Sequence, residues 1–530
     1  MRPHPTVLPS STGDDALASA PSRTHTRKAW ILRPLLLTFL ATFASIGVAQ
    51  EACTGVTLGG GSGTSDSPYL LSTVDDFVSM SDHYASGNAS FGCWRAHFRM
   101  VGDVDLSGVD WTPIGHEQGF TSIGSFEGTF DGDGYVIRNL TVDHPSESGV
   151  AMYRRLLDGG VIENVAFEDA RVSATDDAAV VVASTSGTIR DVHVHGFVSS
   201  SSSAGGIVDS AYGGRIVNAS FRGAVEAGGP AGGIASYAQF STFGEPQNPL
   251  FSSVEVRDDA RIVGTGNVAG MVGSLVGGDV RDATVSADVE SSTVDITLGL
   301  GGAFGTVGPP QTGGSVSVTD LAVQARVQGT DVVGGVIGQA YNGNSIPAFA
   351  RVQADVDVDA TGERVGGLAG YTQAVRFTDG RVTGSVSGNE DVGGVVGYAR
   401  PNATFRRILT DVDVTGQTNV GRIVGRVDGS SFEDVFVDVD IQDLLTVGDG
   451  SNVGGLVASS TDALQAFEPY RSRGWSIATG DPAIRGASDA VWRACAGAYP
   501  TLAGLGPSVD CAPADTGLTF GFEGASGEIL

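Results

Sequence analysis

The side chains best placed to do chemistry in this 530-residue chain are carboxylates. In RVQADVDVDA (351–360), Asp355, Asp357 and Asp359 recur at every second position, and Asp438 and Asp440 repeat the spacing. A period of two puts such groups on one face of a strand. There, paired carboxylates can serve glycoside hydrolysis or hold a cation, or simply make the strand's solvated face. Asp131 and Asp133, in a DGDG run, are further cation candidates. The other oxygen ligands and the spaced glutamate of an EF-hand loop are missing there, and a plain tight turn is the alternative. His193 and His195 share a face and could supply two metal ligands, but no Cys or third His stands near them in the sequence. His116-Glu117 begins like a zinc-protease helix, yet Phe120 stands where the second histidine would be required. All eight histidines lie at or before His195, and Lys28 is the one lysine. Acid–base work over 196–530 would therefore rest on carboxylate, tyrosine or arginine alone. Arg406, Arg407, Arg422 and Arg426 form the best basic cluster for an anionic substrate, with salt bridges to neighbouring aspartates as their expected use. No metal or other cofactor is expected.

Composition narrows the partners. Sixty acidic against 31 basic residues give a net charge of −29, which argues against nucleic acid or an anionic membrane surface. Arg27, Lys28 and Arg33 precede an apolar run from Leu35 to Val48 and a small-x-small site at Gly47-Val48-Ala49. That is the grammar of a signal peptide over 1–49, and the run is short for a membrane span. The expectation is an exported chain, secreted, periplasmic or at the cell surface, with no membrane insertion after signal removal. Cys53, Cys93, Cys495 and Cys511 lie outside the repeats, two near each end. In an oxidising compartment they pair naturally as Cys53–Cys93 and Cys495–Cys511, although two other connectivities exist.

What must position these groups is a repeat. VGGLAG at 365–370 returns as LGGAFG at 300–305, VGGVIG at 333–338, VGGVVG at 392–397, VGRIVG at 420–425 and VGGLVA at 453–458. The repeat glycines are Gly301, Gly302, Gly334, Gly335, Gly366, Gly367, Gly393, Gly394, Gly421, Gly454 and Gly455. Weaker copies stand at 204–209, 231–236 and 268–273. A loose period of about thirty residues signals stacked units that cannot bury their apolar faces alone. Each repeat reads as a glycine bend, a short apolar strand, a second turn and a longer alternating strand. In the alternating strand Val352, Ala354, Val356 and Val358 face inward. Glycine pairs suit either positive φ or coils that pass too close for a side chain. Around Asp131–Gly134, alternation puts Val136, Arg138 and Leu140 on one side, with Ile137, Asn139 and Thr141 on the other. Ahead of the repeats, Ser72 or Thr73 can cap a helix with Asp75 and Asp76 in its first turn and an apolar stripe of Val74, Phe77, Val78 and Met80. Such a helix would cover the open end of a solenoid. The expected domains are a signal at 1–49, a linker at 50–66, an N-terminal cap and opening module at 67–145, repeats at 146–460, a C-terminal cap at 461–511 and a loose tail at 512–530.

The hexamers resemble GLUG repeats, found in exported bacterial surface proteins and beside the protease domain of some immunoglobulin A peptidases. WTPIG (111–115) with FEGTFDGDGYVIRNLTV (126–142) resembles the module that opens such arrays, and PYLLSTVDDFVSM (68–80) its helical lead-in. The resemblance covers roughly 68–458 and implies an all-β chain, a right-handed parallel β-helix, in a cell-surface or secreted setting. The peptidase activity of some relatives does not transfer, given Phe120. The expected function is therefore a non-catalytic exported β-solenoid acting as adhesin-like binding module or stalk toward an unidentified extracellular glycan or protein. The alternatives are a carbohydrate-active β-helix enzyme using paired aspartates, and a purely structural envelope component.

Overall fold

The structure, a computed structural model, describes residues 53, 58–85, 91–115, 125–144, 146–241, 247–291, 297–308, 314–341, 343, 345–450, 453–479, 490–495 and 497–505. It is a parallel β-solenoid. Phe98, Phe130, Ile162, Ile189, Ile216, Phe251, Val280, Val318, Phe349, Phe377, Phe405 and Phe432 form one column of twelve rungs, 27 to 38 residues apart. The coils build three parallel sheets: a narrow one of eight strands, which starts at Ala204, a middle one of eleven and a wide one of eighteen. Alternation works as the sequence implies. Val352, Ala354, Val356 and Val358 are buried while Asp355, Asp357 and Asp359 face out. Val395 and Val424 are wholly buried too. Inside, Phe349, Phe377, Phe405 and Phe432 stack with centroids 4.9, 5.5 and 5.1 Å apart, so the core is a run of like side chains along the axis.

The glycine pairs have a steric cause. A Cβ on the first glycine would meet the carbonyl oxygen three residues on, at 1.9 Å for Gly334 (Ile337) and 2.2 Å for Gly366 (Ala369). A Cβ on the second would meet the next coil, at 2.3 Å for Gly335 (Gly367 O) and 2.2 Å for Gly367 (Gly394 O). Neither lies in the left-handed φ region, so of the two reasons glycine can be needed, close approach is the one that applies. Left-handed residues form a column within the wide sheet, where Asp191, Asn218, Ser253, Asp282, Asp320, Arg351, Asp379, Arg407 and Asp434 have φ of 49–58°, and a shorter one just before the hexamers, at Val332, Arg364, Asp391 and Asn419. Asn139, at φ 57°, does the same earlier and switches the parity of its strand. Hence Leu140 is buried together with Ile137, and Val136 and Arg138 are not. Simple alternation misplaces this pair because it assumes an unbroken pleat.

The last hexamer is out of register. Leu456–Ser459 pairs with Ser431–Asp438 of the wide sheet, and Val447–Asp449 takes the middle-sheet position instead. A Cβ on Gly454 would meet nothing within 4 Å, and Gly455 (φ 80°) sits against the Phe432 carbonyl. These two glycines therefore do not share the role of Gly334 and Gly335.

The two ends differ. At the N-terminal end helix α1, Val74–Ala85, carries Asp75 and Asp76 in its first turn. Thr73 Oγ1 accepts from Asp76 N at 3.2 Å, and Asp76 Oδ2 accepts from Ser72 N and Thr73 N at 2.8 and 2.9 Å, closing the helix start. Phe77, Met80 and Tyr84 are fully buried against the first coils. A short helix α2, Phe91–Trp94, follows, and a Cys53–Cys93 disulfide ties this cap together. Cys495 is also disulfide-bonded, and Cys511 lies outside the described residues. At the other end, the described residues of 461–505 form helices α3 (Thr461–Leu464) and α4 (Glu468–Arg471) and three short strands. They pack on the outer flank of the wide sheet: Leu464, Tyr470, Trp475, Trp492 and Leu502 bury the outward Leu409 and Phe436. The axial end of the last coil keeps exposed apolar residues, Leu445 at 72%, Ile441 at 44% and Val439 at 42%. Among the described residues, the segment expected as a C-terminal cap covers the flank of the wide sheet.

Candidate functional site

A concave feature lies on the outer face of the wide sheet, where four coils stand in register. Ser286, Gln324, Asp355 and Thr383 form one outward column, and Asp288, Arg326, Asp357 and Ser385 the next but one. Between them the floor is small: Ala287, Ala325, Val356 and Gly384. Gly384 bends at φ 107°, where a Cβ would lie 2.0 Å from the Val356 carbonyl oxygen. The result is a groove of about 470 Å³ with polar walls repeating at the coil spacing of about 4.8 Å.

Its carboxylates are engaged across the coils. Thr383 Oγ1 donates to Asp355 Oδ1 at 2.9 Å, Ser385 Oγ donates to Asp357 Oδ1 at 2.5 Å, and Arg326 stands 3.9 Å from Asp357. Along the strand, positions two apart are about 7 Å from one another. Among the described residues, the one set of three or more His, Cys or acidic ligand atoms that gathers within 4.8 Å is Cys53, His83 and Cys93, outside the groove. The groove holds three carboxylates, Asp288, Asp355 and Asp357, and no aromatic side chain lines it.

A second cavity of about 260 Å³ lies on the same face nearer the N-terminus, lined by His193, Ser220, Glu255, Arg257 and Thr284 among others. His193 Nδ1 is 2.9 Å from Ser220 Oγ. Burial, and then the nearby Arg257 charge, lower the His193 pKa below its ordinary value. His195 shares the outward face but lies beside Glu168 and Asp169, at 3.8 and 3.6 Å.

The remaining candidates have structural surroundings. Asp131 Oδ1 accepts from Asp133 N at 2.9 Å and from Asn164 Nδ2 at 3.0 Å, fastening a turn to the next coil. His116, Glu117 and Phe120 lie outside the described residues. Arg406 pairs with Glu433 at 3.1 Å, Arg407 grips Asp379 at 2.6 and 2.7 Å, and Arg426 stands 3.7 Å from Asp449. Arg422 is fully buried and donates to the Gln442 carbonyl at 2.8 Å, so the four arginines do not form one surface. Asp438 does not face outward with Asp440. It is fully buried, accepting from Thr461 Oγ1 at 2.6 Å, from Asp440 N at 2.8 Å and from the Tyr499 hydroxyl. Burial opposes ionisation of Asp438, but the Thr461 and Tyr499 hydroxyls outweigh it and hold the carboxyl below its usual range. Nearby Asp411 goes the other way: burial raises it, against its 3.0 Å pairing with Arg381. This network fastens the C-terminal flank cover to the last coils.

Sequence reasoning missed Arg381 and His83, because the partners of each, Asp411 for one and Cys53 with Cys93 for the other, come from separate elements that the fold brings together. Gly384 left a signal, a glycine where the strand of the preceding coil has Val356.

Comparison with known proteins agrees at the level of broad class. No protein-family model matches this chain, and none supports the GLUG resemblance. A stretch of 155 residues, 28% of the chain, is 29% identical to halomucin of Haloquadratum walsbyi. Another of 157 residues, also 28%, is 26% identical to a protein of Evansella cellulosilytica described as a Gly-rich membrane protein. The matched regions span 2% and 16% of those two proteins. Among the described residues no helix is long and apolar enough to cross a membrane.

Proposed function

We propose that this chain is a non-catalytic, exported surface protein of the GLUG-repeat kind, and that the wide sheet's outer groove is where it holds an extended extracellular ligand. The observation that carries this reading is the groove between Asp288 and Ser385, whose hydrogen-bonding groups recur coil by coil on a rigid frame. A ligand with its own repeat, such as a glycan chain, can meet such columns unit after unit. The names of the two similar proteins, a halomucin and a Gly-rich membrane protein, support a surface setting. The acidic exterior disfavours nucleic acid as the ligand.

A glycan array probed with the exported chain tests this. Binding to a polysaccharide that falls at least tenfold in an Asp355→Ala, Asp357→Ala double variant is the expected result. No binding to any glycan, or binding indifferent to those changes, would remove the groove reading. The second reading, a carbohydrate-active enzyme, is favoured by the three carboxylates in one groove. Release of reducing ends from the bound polysaccharide, abolished by Asp355→Asn, would put that reading in place of the first.

A further inference from the structure

The N-terminal cap brings together three side chains that the binding reading does not use. Cys53 comes from the lead-in segment, His83 from the last turn of α1 and Cys93 from α2. His83 Nε2 lies 3.3 Å from Cys93 Sγ and 4.0 Å from Cys53 Sγ. Two sulfurs and an imidazole nitrogen are the donor set of tetrahedral zinc, with Zn–S near 2.3 Å and Zn–N near 2.0–2.1 Å. A tetrahedral centre of those bond lengths needs S···N separations of about 3.5 Å, which the two observed distances bracket, and an S···S separation of about 3.8 Å.

We propose that, when its Cys53–Cys93 bond is reduced, this cap binds one zinc-class divalent ion through Cys53 Sγ, Cys93 Sγ and His83 Nε2, with water in the fourth position. The positions of these residues do not depend on the sulfur–sulfur bond alone. The Tyr69 hydroxyl donates to the Cys53 carbonyl at 3.1 Å, and the Tyr84 hydroxyl donates to the Cys93 carbonyl. Phe77, Met80 and Tyr84 lock α1 into the core, and Trp94 packs on Tyr84 with centroids 4.8 Å apart. Loss of the bond therefore leaves the three donors side by side, and the sulfurs need only move apart to chelating distance. The chemistry balances with a dithiol reductant. The disulfide and the dithiol exchange to give two cysteine thiols and a cyclic disulfide. The metal ion then displaces the two thiol protons, which pass to solvent, while His83 keeps its proton on Nδ1. Oxidised, the cap is a covalent staple, and reduced, it is a metal clip holding the same three segments.

The test uses the full chain with Cys495→Ser and Cys511→Ser, leaving one cysteine pair. After reduction and anaerobic removal of the dithiol, Co²⁺ is titrated. The expected result is one equivalent bound, a near-ultraviolet thiolate-to-cobalt charge-transfer band, and displacement by Zn²⁺. The oxidised chain should show no band, and His83→Ala should weaken binding at least tenfold while the thiolate band persists. Should the double serine variant fail to fold, the wild-type chain serves: Zn²⁺ should protect Cys53 and Cys93 from iodoacetamide, read by mass spectrometry, and less so in His83→Ala. A reduced chain that takes up no more cobalt than the oxidised one, or zinc protection indifferent to His83→Ala, would overturn the proposal.

Discussion

Asp209 is a residue whose surroundings disagree with its charge. It is fully buried in a middle-sheet strand, accepting from Ser236 Oγ at 2.6 Å and Ser210 Oγ at 2.8 Å. Burial and the nearby Asp177 carboxylate raise its pKa from 3.8 to about 7, against the pull of the serine hydroxyls. Since the folded value lies above the unfolded one, its favourable contribution is full below about pH 4 and is lost as pH rises through about 7. One such group changes stability by at most about 1.4 kcal/mol per pH unit. Asp209→Asn should therefore flatten the fall of Tm between pH 4 and pH 7 relative to wild type, and parallel curves from thermal melts would contradict this. At this scale the sequence was informative wherever a side chain's fate depends on strand parity. Asp355, Asp357 and Asp359 could be placed from alternation alone. Asp438 could not, because Thr461 and Tyr499 reach it from segments that carry no repeat.

The glycine bend sets the element scale. Gly335 faces Gly367 of the following coil so closely that a methyl group would stand 2.3 Å from a carbonyl oxygen and 2.6 Å from Val356 Cγ2. Gly335→Ala should cost about 2 kcal/mol or more, since neither backbone nor packed valine can yield cheaply. Gly454→Ala, with open space around it, should stay within about 0.5 kcal/mol. Urea denaturation of both variants checks the pair, and equal losses would mean that glycine serves some other purpose in the repeat. The hexamers were legible because this crowding recurs at nearly every coil and favours glycine, with Ala269 and Arg422 as exceptions in the two glycine columns. The left-handed column was not, since its aspartates, asparagine, serine and arginines share a backbone shape rather than a residue type. Arg351 and Arg407 hold that shape with their guanidinium groups bonded to Asp320 and Asp379, so side-chain pairing along the axis stands in for the usual asparagine preference.

For the whole molecule the decisive asymmetry is between a sealed N-terminal end and a flank-covered C-terminal one. Trp492 is fully buried in the flank cover and donates from Nε1 to Asp379 Oδ1 at 2.9 Å. Trp492→Ala should cost about 3 kcal/mol or more, and the loss should be local. Limited proteolysis should nick the variant within 461–505 while the coils up to Ser459 stay protected, and a uniform increase in cleavage would show instead that cover and coils unfold together. The cover's aromatic residues were visible in the sequence, but its docking place was hidden in one small break of pattern. Leu409 and Phe436 are apolar at outward positions, where earlier coils carry His193, Ser220 and Glu255 in the same column. The direction of the backbone ladders has a mechanical consequence. Their hydrogen bonds run along the axis, so tension between the two ends strains them one rung after another, as in a zip rather than a shear lap. Each coil that lets go would release 27 to 38 residues, roughly 100 Å of extended chain. Under a steady pull the protein would lengthen stepwise at modest force.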